Sequence, residues 1–353
     1  MTVAVSFQKS RFGRLPDSSA VDLYTLRSGR GVSVSISTYG AIITSVHAPD
    51  RWGNAGEVTL ARDRLEEYLD GHPYYGALVG RVCNRISGGG FTLNDRFYPL
   101  SANSGDLHLH GGIRGFDKHL YTAEVEPSDH AVTLHLSRTS PDGEEGYPGN
   151  LEVRHSLTVH EDNRLVMTFQ AETDAATVVN LTNHTYWNLT GEGNILGHEV
   201  RIPGRKYAET SGMVPTGTLA PVSGTPCNFL GWKRVGEEIG QMDETEMRGY
   251  DYSFTVEGWE PGEPVLRQAA VVRDPGTGRL MEIYTTYPAV HFYSGNNLPG
   301  QLGRDGAVLK GREALCFECQ FFPDSPNRPE FPSILLQPGE TYLHRTEHRF
   351  LTC

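Results

Sequence analysis

Long apolar runs are absent from this sequence. A bilayer-spanning helix needs about 20 consecutive apolar residues, and no stretch of the chain approaches that length. The segment Met1 to Ala20 carries Lys9, Arg11 and Arg14 without an apolar stretch after them, so it lacks the pattern of a secretory signal. These absences predict a protein that does not enter or cross a membrane.

Positive charge is in deficit. The chain has 31 Lys and Arg residues against 43 Asp and Glu residues, a formal net charge of −12. An acidic surface repels the phosphates of nucleic acids and the headgroups of anionic lipids. The charge balance therefore argues against nucleic acid and membrane partners and favours a neutral small molecule.

Cysteine is scarce and odd in number, with five residues at positions 83, 227, 316, 319 and 353. Cys316 and Cys319 have the spacing of a redox motif, but the segment around them predicts a strand. Residues three apart on a strand point to opposite faces, which disfavours a disulfide between them. We interpret all five as free thiols, which predicts a reducing, cytoplasmic location.

Helical periodicity is also scarce, whereas alternation of apolar and polar residues recurs along the whole chain. Short helices are predicted only at Arg62 to Leu69 and at Trp232 to Ile239. Strands are predicted at 32–36, 132–136, 151–155, 165–171, 177–182, 265–273, 280–286, 290–294 and 314–320. Because no long linker or composition shift interrupts the pattern, we expect one all-β domain over 1–353. Its predicted architecture is a large antiparallel β-sandwich with few short helices.

Two polar clusters lie before the middle of the chain. In the segment 80–86, Arg81, Asn84 and Arg85 offer donors suited to sugar hydroxyls or a carboxylate, or a surface ion pair. In the segment 107–112, His108 and His110 would share one face of a strand, which is possible metal-ligand geometry. Buried structural histidines are the other interpretation.

Two further clusters follow. The segment 180–189 places His184 among amides, hydroxyls and aromatic rings, the mixture that sugar sites use. The ordinary pKa of histidine suits a general acid near neutral pH, although core packing also explains the segment. Asp251 lies among aromatic residues in 249–252, where a buried carboxylate needs a partner or forms a local turn.

The last cluster is the strand predicted at 315–320. Leu315, Phe317 and Cys319 share one face of it, and the other face carries Glu318. Glutamate is seldom buried without a partner. A carboxylate facing a cavity, with its pKa raised by burial, would make a competent base, whereas an exposed face would make it an ordinary surface residue.

Seven of these segments together resemble the aldose 1-epimerase (galactose mutarotase) family, and they occur in the family's order. They are Gly80 to Ile86, Leu109 to Gly112, Gly115 to Lys118, Gly143 to Gly149, Thr182 to Tyr186, Gly249 to Asp251, and Glu318 to Gln320. The resemblance implies a galactose mutarotase-like β-sandwich whose site lies in a cleft on one face.

The resemblance also implies roles for single residues. Glu318 is similar to the family's general base and His184 to its general acid. The residues that look like the family's sugar contacts are Arg85, His110, Asp251 and Asn84. We expect nearby carboxylates to keep His184 protonated near neutral pH.

The chain departs from the family in one segment. Where the family often reads Thr-Thr-Gln-Pro-Gly-Val-Gln-Phe-Tyr, this chain has residues 285–293, Thr-Thr-Tyr-Pro-Ala-Val-His-Phe-Tyr. Tyr287 replaces the first glutamine, often a sugar contact, and we expect it to border the sugar and influence which aldose is preferred.

The implied reaction is mutarotation, the interconversion of the α and β anomers of a free aldohexose such as galactose or glucose. It needs a base and an acid but no cofactor and no metal. The expected partner is thus the sugar alone, bound by a monomer or homodimer. Two alternatives stay open, a metal-dependent cupin-like enzyme with His108, His110, His184 and Glu318 as ligands, and a non-catalytic carbohydrate-binding protein.

Overall fold

The computed structural model describes residues 4–353. Residues 1–3 belong to the segment Met1 to Ala20 and to the domain predicted over 1–353, and they lie outside the described part. Within that part strands dominate, and the one α-helix is α1 (Leu65–Leu69). No helix there is long and apolar enough to cross a membrane.

The strands of the first half, in chain order, are β1 (Ser6–Arg14), β2 (Ala20–Arg27), β3 (Ser33–Ser37), β4 (Ile43–Pro49), β5 (Ala55–Glu57), β6 (Thr59–Leu60), β7 (Leu78–Val79), β8 (Arg85–Ile86), β9 (Gly90–Leu93), β10 (Arg96–Pro99), β11 (His108–Leu109), β12 (Thr122–Pro127), β13 (Ala131–Ser140), β14 (Leu151–His160) and β15 (Arg164–Thr173). Those of the second half are β16 (Thr177–Val178), β17 (Thr182–Asn183), β18 (Tyr186–Trp187), β19 (Glu199–Arg201), β20 (Lys206–Ser211), β21 (Val214–Pro221), β22 (Lys233–Arg234), β23 (Asp251–Thr255), β24 (Arg267–Arg273), β25 (Arg279–Thr285), β26 (Ala289–Tyr293), β27 (Cys316–Gln320), β28 (Leu335–Leu336) and β29 (Tyr342–Thr352).

Three antiparallel sheets organise these strands. The largest has the order β12-β13-β14-β15-β29-β25-β24-β19-β22, and two five-stranded sheets have the orders β1-β2-β3-β4-β5 and β21-β20-β23-β26-β27. Five two-stranded pairs, β9 with β10, β8 with β11, β16 with β28, β7 with β17 and β6 with β18, complete the described part. The predicted all-β fold is confirmed.

The long strands form where the sequence alternates. In β14, Leu151, Val153, His155, Leu157 and Val159 are buried and the residues that alternate with them are more exposed, and β15 alternates in the same way. A period of two places all the apolar side chains on one face. These faces join one hydrophobic core with apolar residues from both five-stranded sheets.

The helix predictions had different outcomes. The segment 62–69 contains α1, and the backbone N–H of Arg64 donates to the Glu67 carboxylate at its start. The prediction of a helix at 232–239 is wrong, because Lys233 and Arg234 form β22 and pair with β19. Gly236 lies within the same segment, and glycine disfavours a helix interior.

One face of the sheet β21-β20-β23-β26-β27 packs on the core. Phe254 of β23, Phe292 of β26 and Phe317 of β27 all belong to that core. Because side chains alternate along a strand, the residues between them point to the opposite face. The polar groups that the sequence places on these strands are gathered there.

All five cysteines are free. The Cys319 side chain packs in the main core, whereas Cys316 belongs to a separate buried cluster, as expected for residues three apart on a strand. Cys353 is exposed and the other four are buried.

Candidate active site

The register of strands β23, β26 and β27 brings together the first group of site residues. Residues directly opposite each other on antiparallel strands point to the same face, and β26 pairs with both β23 and β27. One row across the three strands is Ser253, His291 and Glu318, and the next row on the same face is Asp251, Tyr293 and Cys316. The sheet thus places two carboxylates and an imidazole side by side.

A tight backbone crossing supplies the second part. Arg85 and Leu109 pair across β8 and β11, and the next residue, His110, has a positive φ of 51°. Its ring Nδ1 lies 3.2 Å from the backbone N–H of Asn84, so Nδ1 accepts and Nε2 is free to face the site. A Cβ on Gly111 would lie 1.7 Å from the Gly80 carbonyl oxygen, so only glycine permits this approach.

The turn after β17 supplies His184. Its backbone N–H donates to the carbonyl of Ala77 at 3.0 Å, which fixes the turn against β7. The ring stacks on Tyr186 with centroids 4.9 Å apart. Its Nδ1 lies 3.6 Å from Cys316 Sγ and its Nε2 lies 3.6 Å from Glu318 Oε1. The imidazole therefore presents Nε2 to the carboxylate.

These groups line one cavity of about 140 Å³. Its lining residues are Pro73, Tyr74, Asn84, Arg85, Leu109, His110, His184, Tyr186, Asp251, His291, Tyr293, Asn297 and Glu318. Six residues proposed from the sequence, at positions 84, 85, 110, 184, 251 and 318, are thus brought together.

A larger cavity of about 640 Å³ lies around Trp259, Leu336 and Tyr342. Its lining is mostly apolar, and it includes neither Glu318 nor His184. The smaller cavity is the better candidate because acid–base chemistry needs titratable groups in reach of one substrate atom.

Burial and charge set the protonation of the Glu318 carboxyl. Burial, together with the negative charge of Asp251, raises its pKa to about 8, although Arg85 opposes the shift. Its Oε2 has no hydrogen-bond partner among residues 4–353. A buried, unsatisfied carboxyl oxygen facing a cavity is costly unless a ligand pairs with it.

The neighbouring Asp251 carboxylate is shifted the other way. Burial favours its neutral form, but the Arg85 guanidinium and the His291 hydrogen bond outweigh that effect and lower its pKa to about 2. Arg85 Nη2 lies 3.4 Å from Asp251 Oδ2. Asp251 is therefore ionised at neutral pH and able to accept hydroxyl hydrogen bonds.

The expectation that carboxylates keep His184 protonated near neutral pH is wrong. Burial lowers the pKa of His184 to about 3, and this effect outweighs the charge of Asp251, which raises it. Burial lowers the pKa of His110 as well. Without a bound ligand, the proton that acid–base work requires therefore resides on Glu318.

Tyr287 does not border the cavity, and the expectation that it contacts the sugar is wrong. The side chain is fully buried in the main core. Its hydroxyl donates to the Leu181 carbonyl at 2.6 Å and lies 2.8 Å from the Tyr342 hydroxyl, and its ring stacks on His344 at 4.3 Å. Tyr287 therefore contributes to core packing and does not line the cavity.

Two other residues considered from the sequence, His108 and Arg81, form hydrogen bonds within the fold and do not line the cavity. His108 is turned away from His110 because the positive φ of His110 ends the strand alternation. Its Nδ1 lies 2.8 Å from the Ser101 carbonyl oxygen and its Nε2 lies 2.7 Å from the Tyr147 hydroxyl. Arg81 is 2% exposed, and its guanidinium donates to carbonyls of the loop 140–149.

The most informative residue that sequence reasoning missed is His291. It stands at the second glutamine of the family segment, one position from Phe292 in an apolar strand. The argument that singled out Glu318, a polar residue midway along an apolar strand, would have found it. Tyr74 was also missed; its ring lies 4.5 Å from that of His110, and no periodicity marks its loop.

Three residues of the cavity could hold a divalent cation. Ligand atoms of His110, His184 and Glu318 all lie within 4.8 Å of one another. Two imidazoles and a carboxylate are a donor set that zinc accepts. The fourth ligand of the metal-dependent alternative, His108, is excluded from the set because both its ring nitrogens are paired elsewhere.

Known proteins match the chain over nearly its full length. The family model described as Aldose 1-epimerase matches residues 22–349. A galactose mutarotase of Sus scrofa is 42% identical over 348 residues, 97% of this chain and 98% of that protein. An aldose 1-epimerase of Escherichia coli (strain K12) is 35% identical over 341 residues, 95% of this chain and 97% of that protein. The crystal structure of an aldose epimerase homologue from C. elegans has a TM-score of 0.84 and 25% identity, covering 99% of both chains.

The fold and these relatives define the class of protein as an isomerase that acts on sugars. More narrowly, the chain belongs to the aldose 1-epimerase family. The family resemblance, the β-sandwich fold and the activity predicted from the motifs are confirmed. Because the relatives are named for a catalytic activity, the non-catalytic alternative is not supported.

Proposed function

We propose that this chain interconverts the α and β anomers of free aldohexoses, with galactose and glucose as substrates, through Glu318 as base and His184 as acid. The named relatives include galactose mutarotases, which supports galactose. The single observation that carries the assignment is the 3.6 Å approach of His184 Nε2 to Glu318 Oε1 within one cavity.

The reaction needs one proton to leave and one to arrive. In the reactive form of the pair the shared proton has moved from Glu318 to His184. The Glu318 carboxylate then takes the proton of the C1 hydroxyl while protonated His184 gives its Nε2 proton to the ring oxygen, and the C1–O5 bond breaks. The open-chain aldehyde rotates about C1–C2. Ring closure on the other face returns the proton from Glu318 to O1 and the O5 proton to His184. Each of the two groups can supply roughly 10²–10⁴-fold in rate.

The remaining polar residues hold the sugar. Asp251, ionised and paired with Arg85, accepts hydroxyl hydrogen bonds, and the guanidinium donates them. His110, neutral and with its Nδ1 already paired, offers Nε2–H as a donor. Asn84 shapes this wall of the cavity, because its side-chain oxygen accepts from the backbone N–H of Arg85 at 3.0 Å. Aromatic faces of Tyr74 and Tyr186 cover the apolar side of the ring.

Polarimetry tests the proposal directly. Freshly dissolved α-D-galactose and α-D-glucose are expected to reach their equilibrium rotation faster with the protein than in buffer alone. A panel that adds xylose and a reducing disaccharide ranks the substrates. An unchanged approach to equilibrium for every aldose in the panel would refute the proposed activity.

A metal-dependent mechanism is the second candidate, favoured by the convergence of His110, His184 and Glu318. Metal analysis of protein purified without a histidine tag, and polarimetry in excess chelator, separate the two. Full activity in chelator is the result expected for acid–base catalysis. Loss of activity that returns only with one added metal would establish the alternative.

We further propose one domain over residues 1–353, acting in the cytoplasm as a monomer or homodimer. Five free cysteines support a reducing compartment. A formal net charge of −12 suits a neutral sugar better than an anionic partner. Light scattering of the purified chain decides between monomer and dimer.

A further inference from the structure

His291 occupies the centre of the site without a role in the acid–base chemistry. It lies midway along β26, is 4% exposed, and faces the cavity between Ser253 and Glu318 in the strand register. No hydrogen bond joins it to Glu318 among the described residues. One of its two partners, Asp251, lines the cavity and is a proposed sugar contact.

Both ring nitrogens of His291 are occupied. Nδ1 lies 2.8 Å from Ser253 Oγ, and Nε2 lies 2.6 Å from Asp251 Oδ1. Ionised Asp251 can only accept, so Nε2 carries the proton that is donated to it. The serine hydroxyl both donates and accepts, so it satisfies Nδ1 in either protonation state. The ring therefore has no nitrogen left for a sugar.

The effect of His291 passes through Asp251. One carboxylate oxygen of Asp251 is held by His291 at 2.6 Å, and the other lies 3.4 Å from Arg85 Nη2. A carboxylate accepts up to about four hydrogen bonds. Held at both oxygens, Asp251 keeps one orientation and directs its remaining lone pairs at the cavity.

We propose that His291 is a positioning residue for sugar binding, which locks Asp251 through the bonded series Ser253, His291, Asp251 and Arg85. The inference rests on the proposed role of Asp251 as a sugar contact. It assigns His291 to substrate affinity and not to the proton transfers, so its loss raises KM and leaves kcat nearly unchanged.

Two amide substitutions separate the bonds of the ring. The amide of asparagine reaches the place of Nδ1, beside Ser253, but stops short of Asp251. The longer glutamine brings an amide N–H to the place of Nε2 and can donate to Asp251. Both are polar and uncharged, so His291→Asn and His291→Gln differ chiefly in whether the Asp251 bond survives.

The experiment measures binding and turnover separately. Calorimetry uses 1,5-anhydro-D-galactitol, which lacks the C1 hydroxyl and cannot mutarotate, and polarimetry gives kcat and KM for α-D-galactose. His291→Asn is expected to weaken anhydrogalactitol binding and raise KM about tenfold, the effect of one lost charge-assisted hydrogen bond, with kcat within about threefold. His291→Gln is expected to stay within about threefold of wild type in all three quantities.

A control and a second variant complete the test. His130, paired with Glu161 at the surface, is changed to asparagine in the control, which should leave KM and melting temperature unaltered. If His291→Asn does not fold, Ser253→Ala frees the Nδ1 end of the ring and is expected to raise KM about threefold. Unchanged KM in the variant that folds overturns the proposal.

Other results are equally decisive. Equal loss of binding in His291→Gln and His291→Asn, matched by equal falls in melting temperature, would show that the ring only fills space. Wild-type protein that binds anhydrogalactitol without accelerating mutarotation would refute the proposed function, while the binding comparison would still decide the role of His291. If the wild-type protein neither binds anhydrogalactitol in calorimetry nor accelerates mutarotation in polarimetry, both the proposed function and the proposed role of His291 are refuted.

Discussion

At the scale of single residues, burial reverses the ordinary order of two pKa values, so that the glutamate becomes a weaker acid than the histidine. The pKa of Glu318 is raised to about 8 and that of His184 is lowered to about 3. Between these values the pair carries one proton, which it shares as two coupled groups. The reactive arrangement, with the proton on His184, is the minor form of that singly protonated pair. Sugar hydroxyls that pair with the Glu318 carboxylate favour it.

The pH profile of kcat/KM should reflect this shared proton. The fraction of singly protonated pair is constant well below pH 8 and falls above it, because the pair then loses its only proton. We expect a plateau from pH 6 to about 7.5 and a decline above pH 8. Polarimetry in overlapping buffers, corrected for spontaneous mutarotation, measures it. An activity that climbs steadily to pH 9 would show that Glu318 acts as a base without a proton shared with His184.

Removing either member of the pair should abolish most turnover. Glu318→Gln and His184→Asn each keep a polar side chain of similar size but cannot exchange a proton. We expect kcat to fall at least 10²-fold in each, with melting temperatures near wild type. Asn297→Ser, an uncharged change at the cavity wall but outside the proposed pair, serves as a comparison for general disturbance of the cavity. Near-normal kcat in both substituted proteins would contradict the assigned roles.

Much of the site could be predicted from single residues. Glu318, His184, His110, Arg85, Asn84 and Asp251 were found from local polar clusters and family motifs. Tyr287 was assigned wrongly because both glutamines of the family segment are replaced in this chain, and only strand register shows that His291 is the replacement that faces Glu318. Neither the pairing of β26 with β27 nor the burial that shifts the pKa values can be predicted from neighbouring residues in the sequence.

At the scale of elements, the close crossing of the segments around Gly80 and Gly111 determines which side chains face the cavity. Gly80 and Gly111 touch closely. Arg81 beside them donates to four loop carbonyls, those of Ser140, Pro141, Pro148 and Gly149. The two arginines of this segment therefore divide their tasks. Arg81 stabilises the fold and Arg85 faces the cavity.

Methionine substitutions should separate these tasks. Arg81→Met leaves buried carbonyls without donors and is expected to lower the free energy of unfolding by about 3 kcal/mol. Arg85→Met should reduce stability less and raise KM for the aldose, because Asp251 loses its partner. Urea denaturation and polarimetry on both variants measure the two effects. Equal stability of the Arg81 variant and wild type would contradict the structural role.

The elements themselves were predictable to different degrees. Strands β13, β14 and β15 alternate so regularly that their existence follows from the sequence. The strand predicted at 177–182 is divided into β16 and β17, which pair with different partners, β28 and β7. Two-residue strands such as β22 depend on a distant partner, so local periodicity could not reveal them.

At the scale of the whole molecule, neutral histidines occupy buried and half-buried positions throughout the fold. Burial lowers the pKa of five histidines outside the proposed catalytic pair to about 3 or 4: His72, His155, His198, His344 and His348. In the unfolded chain they titrate near 6.5. Below that pH the unfolded state binds more protons than the folded state, so stability falls on acidification.

Denaturation at two pH values should show the effect. The free energy of unfolding is expected to be lower at pH 5.5 than at pH 7, by about 1 kcal/mol for each histidine of this group. His348, whose ring lies 5.3 Å from that of Trp187, has no hydrogen-bond partner for either ring nitrogen among residues 4–353. His348→Phe should therefore remove about 1 kcal/mol of the difference between the two pH values. A variant with the full wild-type difference would show that His348 does not contribute.

The largest sheet has β29, residues 342–352, between β15 and β25 near its centre. A ribosome makes that strand after every other strand of the sheet. Until translation has passed Thr352, β15 and β25 each expose an edge that lacks its partner, and such edges invite association with other chains. The largest sheet can therefore close only after β29, its last strand in the sequence, has been synthesised.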